Sequence, residues 1–143
     1  MPAELFYENV EDNDRLPNFD ITVNRTHIAR YAGASGDFYP VHVDEEFCKS
    51  IGLPSVFAMG QMHGGMLSRV VTDWAGAGRV KKYKLRFKGV VWPNDTLTFK
   101  GNAVKKYQDN GENLVDCHLF VVNQNNQNVI EGEATVSLPL HKE

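Results

Sequence analysis

The hydrophobic positions of this chain change period partway along it. Between Gly60 and Trp74, Met62, Met66, Val70 and Trp74 recur every fourth residue, with Leu67 and Val71 beside them, and only Arg69 and Asp73 are charged. A helix that is apolar over most of its circumference is normally buried. Gly64 and Gly65 inside it cost about 1 kcal/mol each relative to alanine, which predicts that another backbone approaches closely there. From Val80 the period drops to two: Tyr83, Leu85, Phe87 and Val91 alternate with Lys82, Lys84, Arg86 and Lys88. That is the pattern of a half-buried strand. Leu97, Phe99 and Ala103 continue the alternation. Val115, Cys117, Leu119 and Val121 do so after an Asp109–Asn110–Gly111 turn, and Ile130, Gly132, Ala134, Val136 and Leu138 form the last run.

The runs and turns predict an antiparallel sheet, and the small residues Gly132 and Ala134 predict a face that wraps closely around a helix. An antiparallel sheet curled around one long central apolar helix is the α+β hot-dog fold, and this is the fold expected. The polar patch Asn123–Asn128 reads as a hairpin loop, and Trp92–Asp95 as a strand-ending turn. The first half reads as helices and loops. Asn24 or Thr26 caps a helix running toward Tyr31 and stopping near Gly33. Asp44 caps a second, through Cys48, that ends near Gly52.

Composition narrows the classes. With 143 residues and no internal repeat or linker, residues 1–143 read as one domain with a real core. A net charge of −3 provides no basic field, so nucleic acid is not an expected partner. No apolar run approaches the length of a membrane span, and the acidic N-terminus lacks the order of a signal peptide. A cytoplasmic protein is expected. Cys48 and Cys117 form no framework and read as reduced thiols. No His or Cys spacing suits a metal.

Candidate chemistry lies in Gly36-Asp37-Phe38-Tyr39-Pro40-Val41-His42, where a carboxylate and an imidazole stand five residues apart. On a loop turning at Tyr39–Pro40 both could converge on one water and share general acid and base roles. By spacing alone, such a pair serves more often in capping or structural hydrogen bonds. Gly60, preceded by Met59, falls at the start of the apolar helix, where unpaired N–H groups and the positive end of the helix dipole could hold a carbonyl oxygen gaining charge. A glycine needed only for the turn fits there equally well.

The stretch Tyr31-Ala-Gly-Ala-Ser35-Gly36-Asp37-Phe38-Tyr39-Pro40-Val41-His42-Val43-Asp44 resembles the signature of the MaoC-like dehydratases, the (R)-specific enoyl-CoA hydratases. Gly60, 18 residues after His42, and Ser68, eight farther on, also match that family's pattern. The resemblance implies a homodimer, or a dimer with a related subunit, with an acyl-CoA or acyl-carrier-protein thioester along the interface. It implies no cofactor besides that carrier. Asp37 and His42 would activate the water that adds to a trans-2-enoyl thioester, giving an (R)-3-hydroxyacyl thioester. The Gly60 N–H would bind the thioester oxygen, and Ser68 would support the site, with Pro40 shaping the loop. Two positions depart from the family: Tyr39 stands where Asn is usual and Met59 where His is usual. Both put short-chain preference in doubt, and a Met-rich wall suits a branched or bulky acyl group.

Other residues read more plainly. His63 is expected to be packed or hydrogen-bonded, and His27, His118 and His141 exposed or on strand faces. Ser35 lacks a nucleophile elbow. Lys82, Lys84, Arg86 and Lys88 form a solvated face, or one that attracts CoA phosphates or an acidic carrier. A hot-dog thioesterase would use a carboxylate on the central helix, where only Asp73, near its end, is available. A non-catalytic, pocket-completing subunit is the remaining alternative, and retention of both Asp37 and His42 argues against it.

Overall fold

A computed structural model of the chain describes residues 4–141. After a single 3-10 turn, Tyr7–Asn9, come β1 (Phe19–Thr22), α1 (Arg25–Ser35), α2 (Pro40–Val43), α3 (Glu45–Ser50) and α4 (Gly60–Ala75). A second 3-10 turn, Ala77–Arg79, leads into β2 (Val80–Phe87), β3 (Thr96–Asp109), β4 (Glu112–Val122) and β5 (Asn128–Ser137). The sheet is antiparallel throughout, in the order β1-β3-β4-β5-β2. With α4 lying against one face of it, this is the hot-dog fold that the spacing predicts.

Local chemistry explains the two hairpins. Asn110 and Gly111 both have positive φ, 48° and 79°, the backbone a tight hairpin turn requires. In the polar patch, Asn123 Oδ1 accepts from the Asn125 and Gln127 amides, and Asn126 takes φ 58°. The patch is a hairpin loop, as read.

The core forms where α4 meets the sheet. Leu67, Val70 and Val71 are buried against a set that includes Leu97, Phe99, Leu119, Ile130 and Val136. Each such side chain contributes about 1.5–3 kcal/mol on burial. A Cβ at Gly101 would lie 2.7 Å from Leu119 and 3.1 Å from Val70 of α4, so this glycine lets the helix settle onto β3. At Gly132 a Cβ would meet Leu85 at 2.6 Å and the Lys84 carbonyl at 3.0 Å, both on β2. The small residue there admits the neighbouring strand's side chain, not the helix as expected.

Four other expectations shift. β1 lies in the half read as helices and loops. It has only four residues, too few to display a period. α1 runs past Gly33 to Ser35 and ends at Gly36, whose φ of 75° supplies the left-handed cap. Gly64 meets the side chains of Leu85 and Phe87 rather than backbone, while Gly65 faces open space. β2 stops at Phe87, short of Val91. Among the described residues, no helix is long and apolar enough to cross a membrane, and no group of three His, Cys, Asp or Glu side chains could hold a metal ion.

Candidate active site

The loop carrying Asp37 and His42 is held by a relay of local hydrogen bonds. Ser35 Oγ donates to the Tyr31 carbonyl at 2.7 Å and accepts from the Asp37 amide at 3.1 Å. Asp37 Oδ1 in turn accepts from the Tyr39 amide at 3.3 Å. Pro40 then takes the first position of α2, where its missing N–H costs nothing. His42 therefore sits on a short helical turn rather than on open loop. Asp44 closes the segment by accepting from the Phe47 amide at 2.9 Å, as the N-cap of α3. Ser35 spends its hydroxyl on this relay.

The imidazole is anchored from the other side. His42 Nδ1 lies 2.7 Å from the Phe57 carbonyl oxygen. A carbonyl only accepts, so Nδ1 carries the hydrogen and the neutral ring presents its lone pair at Nε2. The ring also meets Phe57 edge-on at 5.0 Å, and Phe57 meets Trp92 in the same way at 5.8 Å. Nε2 stands 3.7 Å from Asp37 Oδ2, too far for a direct hydrogen bond. A neutral Nε2 and a carboxylate are both acceptors, so the group that satisfies them together is a donor with two hydrogens. Water is the smallest one.

The segment that anchors His42 also delivers Gly60. The Phe57 amide donates to the Val41 carbonyl at 3.1 Å and the Ala58 amide to the Val91 carbonyl at 2.9 Å. Gly60 is three residues past Phe57, within about 10 Å of it. As the first residue of α4 its N–H has no partner inside the helix. Met59, the residue before it, is buried and offers no side-chain cap. A Cβ at Gly60 would stand 3.1 Å from the Phe87 ring, so the glycine keeps that corner open.

Ser68, expected to support the site, lies on the third turn of α4. It lies about 12 Å along the helix axis from Gly60, and its Oγ donates back to the Gly65 carbonyl at 2.6 Å. Tyr39 and Phe38 flank the loop with their rings largely in solvent. Asp73, the helix carboxylate that a thioesterase reading needs, lies exposed near the end of α4, 3.7 Å from Arg69. On the basic strand face, Lys82 approaches Glu133 at 3.7 Å and Lys88 engages Glu131. A surface of mixed sign suits a solvated face better than a phosphate site. The sulfur atoms of Cys48 and Cys117 are both free and buried, and burial pushes the Cys117 thiol up to about 12.

Sequence reasoning missed one participant. The Phe57 carbonyl leaves no side-chain signature, because any residue there would supply it. His63 is buried as expected, edge-on to Phe87 at 6.2 Å, and among the described residues its Nδ1 has no hydrogen-bond partner. Burial pushes its pKa down to about 4, so the ring is neutral near pH 7.

Two depressions flank the assembly. One of about 200 Å³, lined by Arg25, Ile28, Ala29, His42, Val43 and Val56, opens beside the imidazole. The other, about 320 Å³, runs between α4 and β2 past Gly64, Gly65, Tyr83, Leu85 and Phe87. Both are open surface clefts.

Residues 8–124 match the family model described as MaoC like domain. The chain is 30% identical over 141 residues to the (R)-specific enoyl-CoA hydratase of Rhodospirillum rubrum, covering 94% of this chain and 92% of that one. It is 36% identical over 90 residues to the 3-oxo-4,17-pregnadiene-20-carboxyl-CoA hydratase beta subunit of Mycobacterium tuberculosis, covering 62% and 69%. It spans only 5% to 6% of the length of two fatty acid synthase beta subunits that it also matches. Among solved structures, the R-hydratase PhaJ1 of Pseudomonas aeruginosa shares the fold, with a TM-score of 0.84 at 24% identity, over 96% of this chain and 88% of that one. The ChsH1-ChsH2 complex of Mycobacterium tuberculosis aligns at 0.78 and 25%, over 90% and 98%.

Proposed function

Because this chain belongs to the MaoC-like hydratase and dehydratase family, we propose that it interconverts trans-2-enoyl and (R)-3-hydroxyacyl thioesters by adding or removing water. The observation that carries this reading is the 3.7 Å gap between His42 Nε2 and Asp37 Oδ2, with His42 Nδ1 tied to the Phe57 carbonyl. One water in that gap donates one hydrogen to Nε2 and the other to the carboxylate. Its oxygen attacks Cβ of the enoyl thioester as the Asp37–His42 pair takes one of its protons. Electrons move through Cα to the thioester oxygen, which gains negative charge and accepts from the Gly60 N–H. The pair returns the proton to Cα, so the net change is addition of H and OH. Dehydration is the reverse.

We read residues 1–143 as one unit in this scheme, with CoA or acyl carrier protein as the thioester carrier. The open clefts on either side of the site favour a ligand closed in by a second subunit, and the ChsH1-ChsH2 complex among the similar structures supports that reading. Met59 and Tyr39 in place of the family's His and Asn favour a branched or polycyclic acyl group. Similarity to a hydratase named for a pregnadiene carboxyl-CoA supports the same choice.

The test is loss of enoyl-CoA absorbance, over acyl groups of several lengths and branching patterns, with chiral analysis of the product. His42→Gln and Asp37→Asn should each lower kcat by about 10²–10⁴ while the circular dichroism spectrum is unchanged. Full activity in the double variant, or an (S) product, removes the proposal.

A further inference from the structure

Arg25 opens α1 and Glu45 opens α3, and their side chains meet across 20 residues of sequence. Glu45 Oε2 accepts from Arg25 Nη1 at 2.8 Å, from the Val56 amide at 3.4 Å and from Ser55 Oγ at 3.5 Å. Arg25 Nη2 donates to the same Ser55 hydroxyl at 3.1 Å. One hydroxyl thus accepts from the guanidinium and donates to the carboxylate, and the three side chains close a ring. A carboxylate in the first turn of a helix is favoured by the dipole alone, and Glu46 meets that need at the next position. Glu45 spends its charge on groups outside its own helix.

The ring adds little to stability, because Arg25 is 58% exposed and Glu45 33%, and ion pairs so open to water are weak. What it joins matters more. His42, the donor to the Phe57 carbonyl, stands three residues before Glu45, and Phe57 follows directly on Val56, whose amide Glu45 holds. The carboxylate therefore bridges the same two segments that the imidazole spans. The Phe57 amide, donating to the Val41 carbonyl at 3.1 Å, is another tie between them. Arg25 also lines the depression beside His42, so the ring stands at the edge of the site. Its hydrogen bond holds the Glu45 carboxyl below the usual carboxylate range, which keeps the bridge charged wherever the imidazole is neutral.

We propose that Glu45, steadied by Arg25, is a positioning residue for His42: it keeps the Phe57 carbonyl against Nδ1 and so leaves the Nε2 lone pair facing Asp37. The nitrogen of a neutral imidazole that carries the hydrogen is set by the bond that nitrogen makes. The consequence for turnover rests on the hydration reading, but the geometry does not. The ring's protonation site is read by magnetic resonance and the reaction by turnover, so either can fail alone.

At a pH where His42 is neutral, two-bond nitrogen–proton correlation spectra of the wild-type chain should show its hydrogen on Nδ1. Glu45→Ala should keep the wild-type circular dichroism spectrum, move the His42 ring toward the form protonated at Nε2, and lower kcat by about ten- to a hundredfold with KM little changed. Glu45→Gln, whose amide oxygen still accepts from the Val56 amide and from Arg25, should restore the Nδ1 form and most of kcat. A wild-type ring protonated at Nε2 overturns the proposal. So does a Glu45→Ala chain whose His42 signals match the wild type, even if turnover falls, because the loss then has a different origin. A Glu45→Gln chain that behaves like Glu45→Ala also overturns it. If Glu45→Ala is unfolded, Arg25→Ala takes its place: freeing the carboxylate must shift the ring in the same direction, and unchanged His42 signals overturn the proposal.

Discussion

From Leu97 to Leu138 the buried positions recur along three long strands and close on α4, whereas the segment under Asp37 and His42 rests on a cluster of only three buried side chains, Val41, Cys48 and Val56. Phe47, Leu53 and Phe57 pack around that small cluster half-exposed. The sheet region is held by burial spread over many side chains. The loop region is held by directed hydrogen bonds: Ser35 to Asp37, Asp44 to Phe47, and His42 to Phe57. Burial tolerates small displacements, because dispersion is shared among many contacts. A hydrogen-bond relay sets one geometry for Asp37 and His42 but stores little stability. The candidate chemistry stands on the weaker region because orientation, not bulk stability, is what it needs.

The contrast can be broken first from the core side. Phe99 is fully buried and stacks on Phe19 at 4.7 Å. Phe99→Ala should cost about 3–5 kcal/mol and lower Tm on the order of 10 °C. Turnover per folded molecule at low temperature should stay near wild type, read by calorimetry beside enzyme assay. A comparable loss of turnover would mean the two regions are not separable.

Acid should strike the same core through α4. His63 has a folded pKa of about 4 against an ordinary value of 6.5, because burial opposes its charge. The unfolded chain therefore binds this proton more readily. Stability is at its full value above about pH 6.5 and is lost progressively as pH falls toward 4, by about 3 kcal/mol in total. Urea midpoints measured across that range should fall for the wild type and fall less steeply for His63→Leu. Parallel slopes would assign the acid sensitivity to other groups.

The smallest effect is expected under the loop. Cys48 is buried, with its Sγ 3.4 Å from the Val41 carbonyl. Cys48→Ala should cost about 1–2 kcal/mol, showing mainly as faster amide exchange across α2 and α3 and a lower kcat, with only a small shift in Tm. Unchanged exchange there would show that the caps alone hold the loop.

These differences also mark what the residues by themselves could reveal. The buried length of α4, the alternation of β3 to β5 and the Asn110–Gly111 turn follow from near-neighbour rules, so they were legible in the sequence. So was the pairing of an Asp and a His across a Pro-containing turn as a candidate site. β1 was not, since four residues at a sheet border acquire their role only when Phe19 reaches Phe99 and Ile21 pairs with Leu97. Nor was the end of α1 at Gly36, because three glycines and serines nearby could have stopped it equally well.

The chain order of side-chain types determined the helix and the hairpins, and it put Asp37 and His42 forward as candidates. Only the tertiary structure decided that His42 turns Nδ1 to the Phe57 carbonyl, leaving Nε2 to face Asp37, and that Ser68 bonds back into its own helix. The physical reason is that periodicity and capping act over a few residues, while the state of a ring nitrogen depends on a backbone oxygen 15 positions away that any residue type would have supplied.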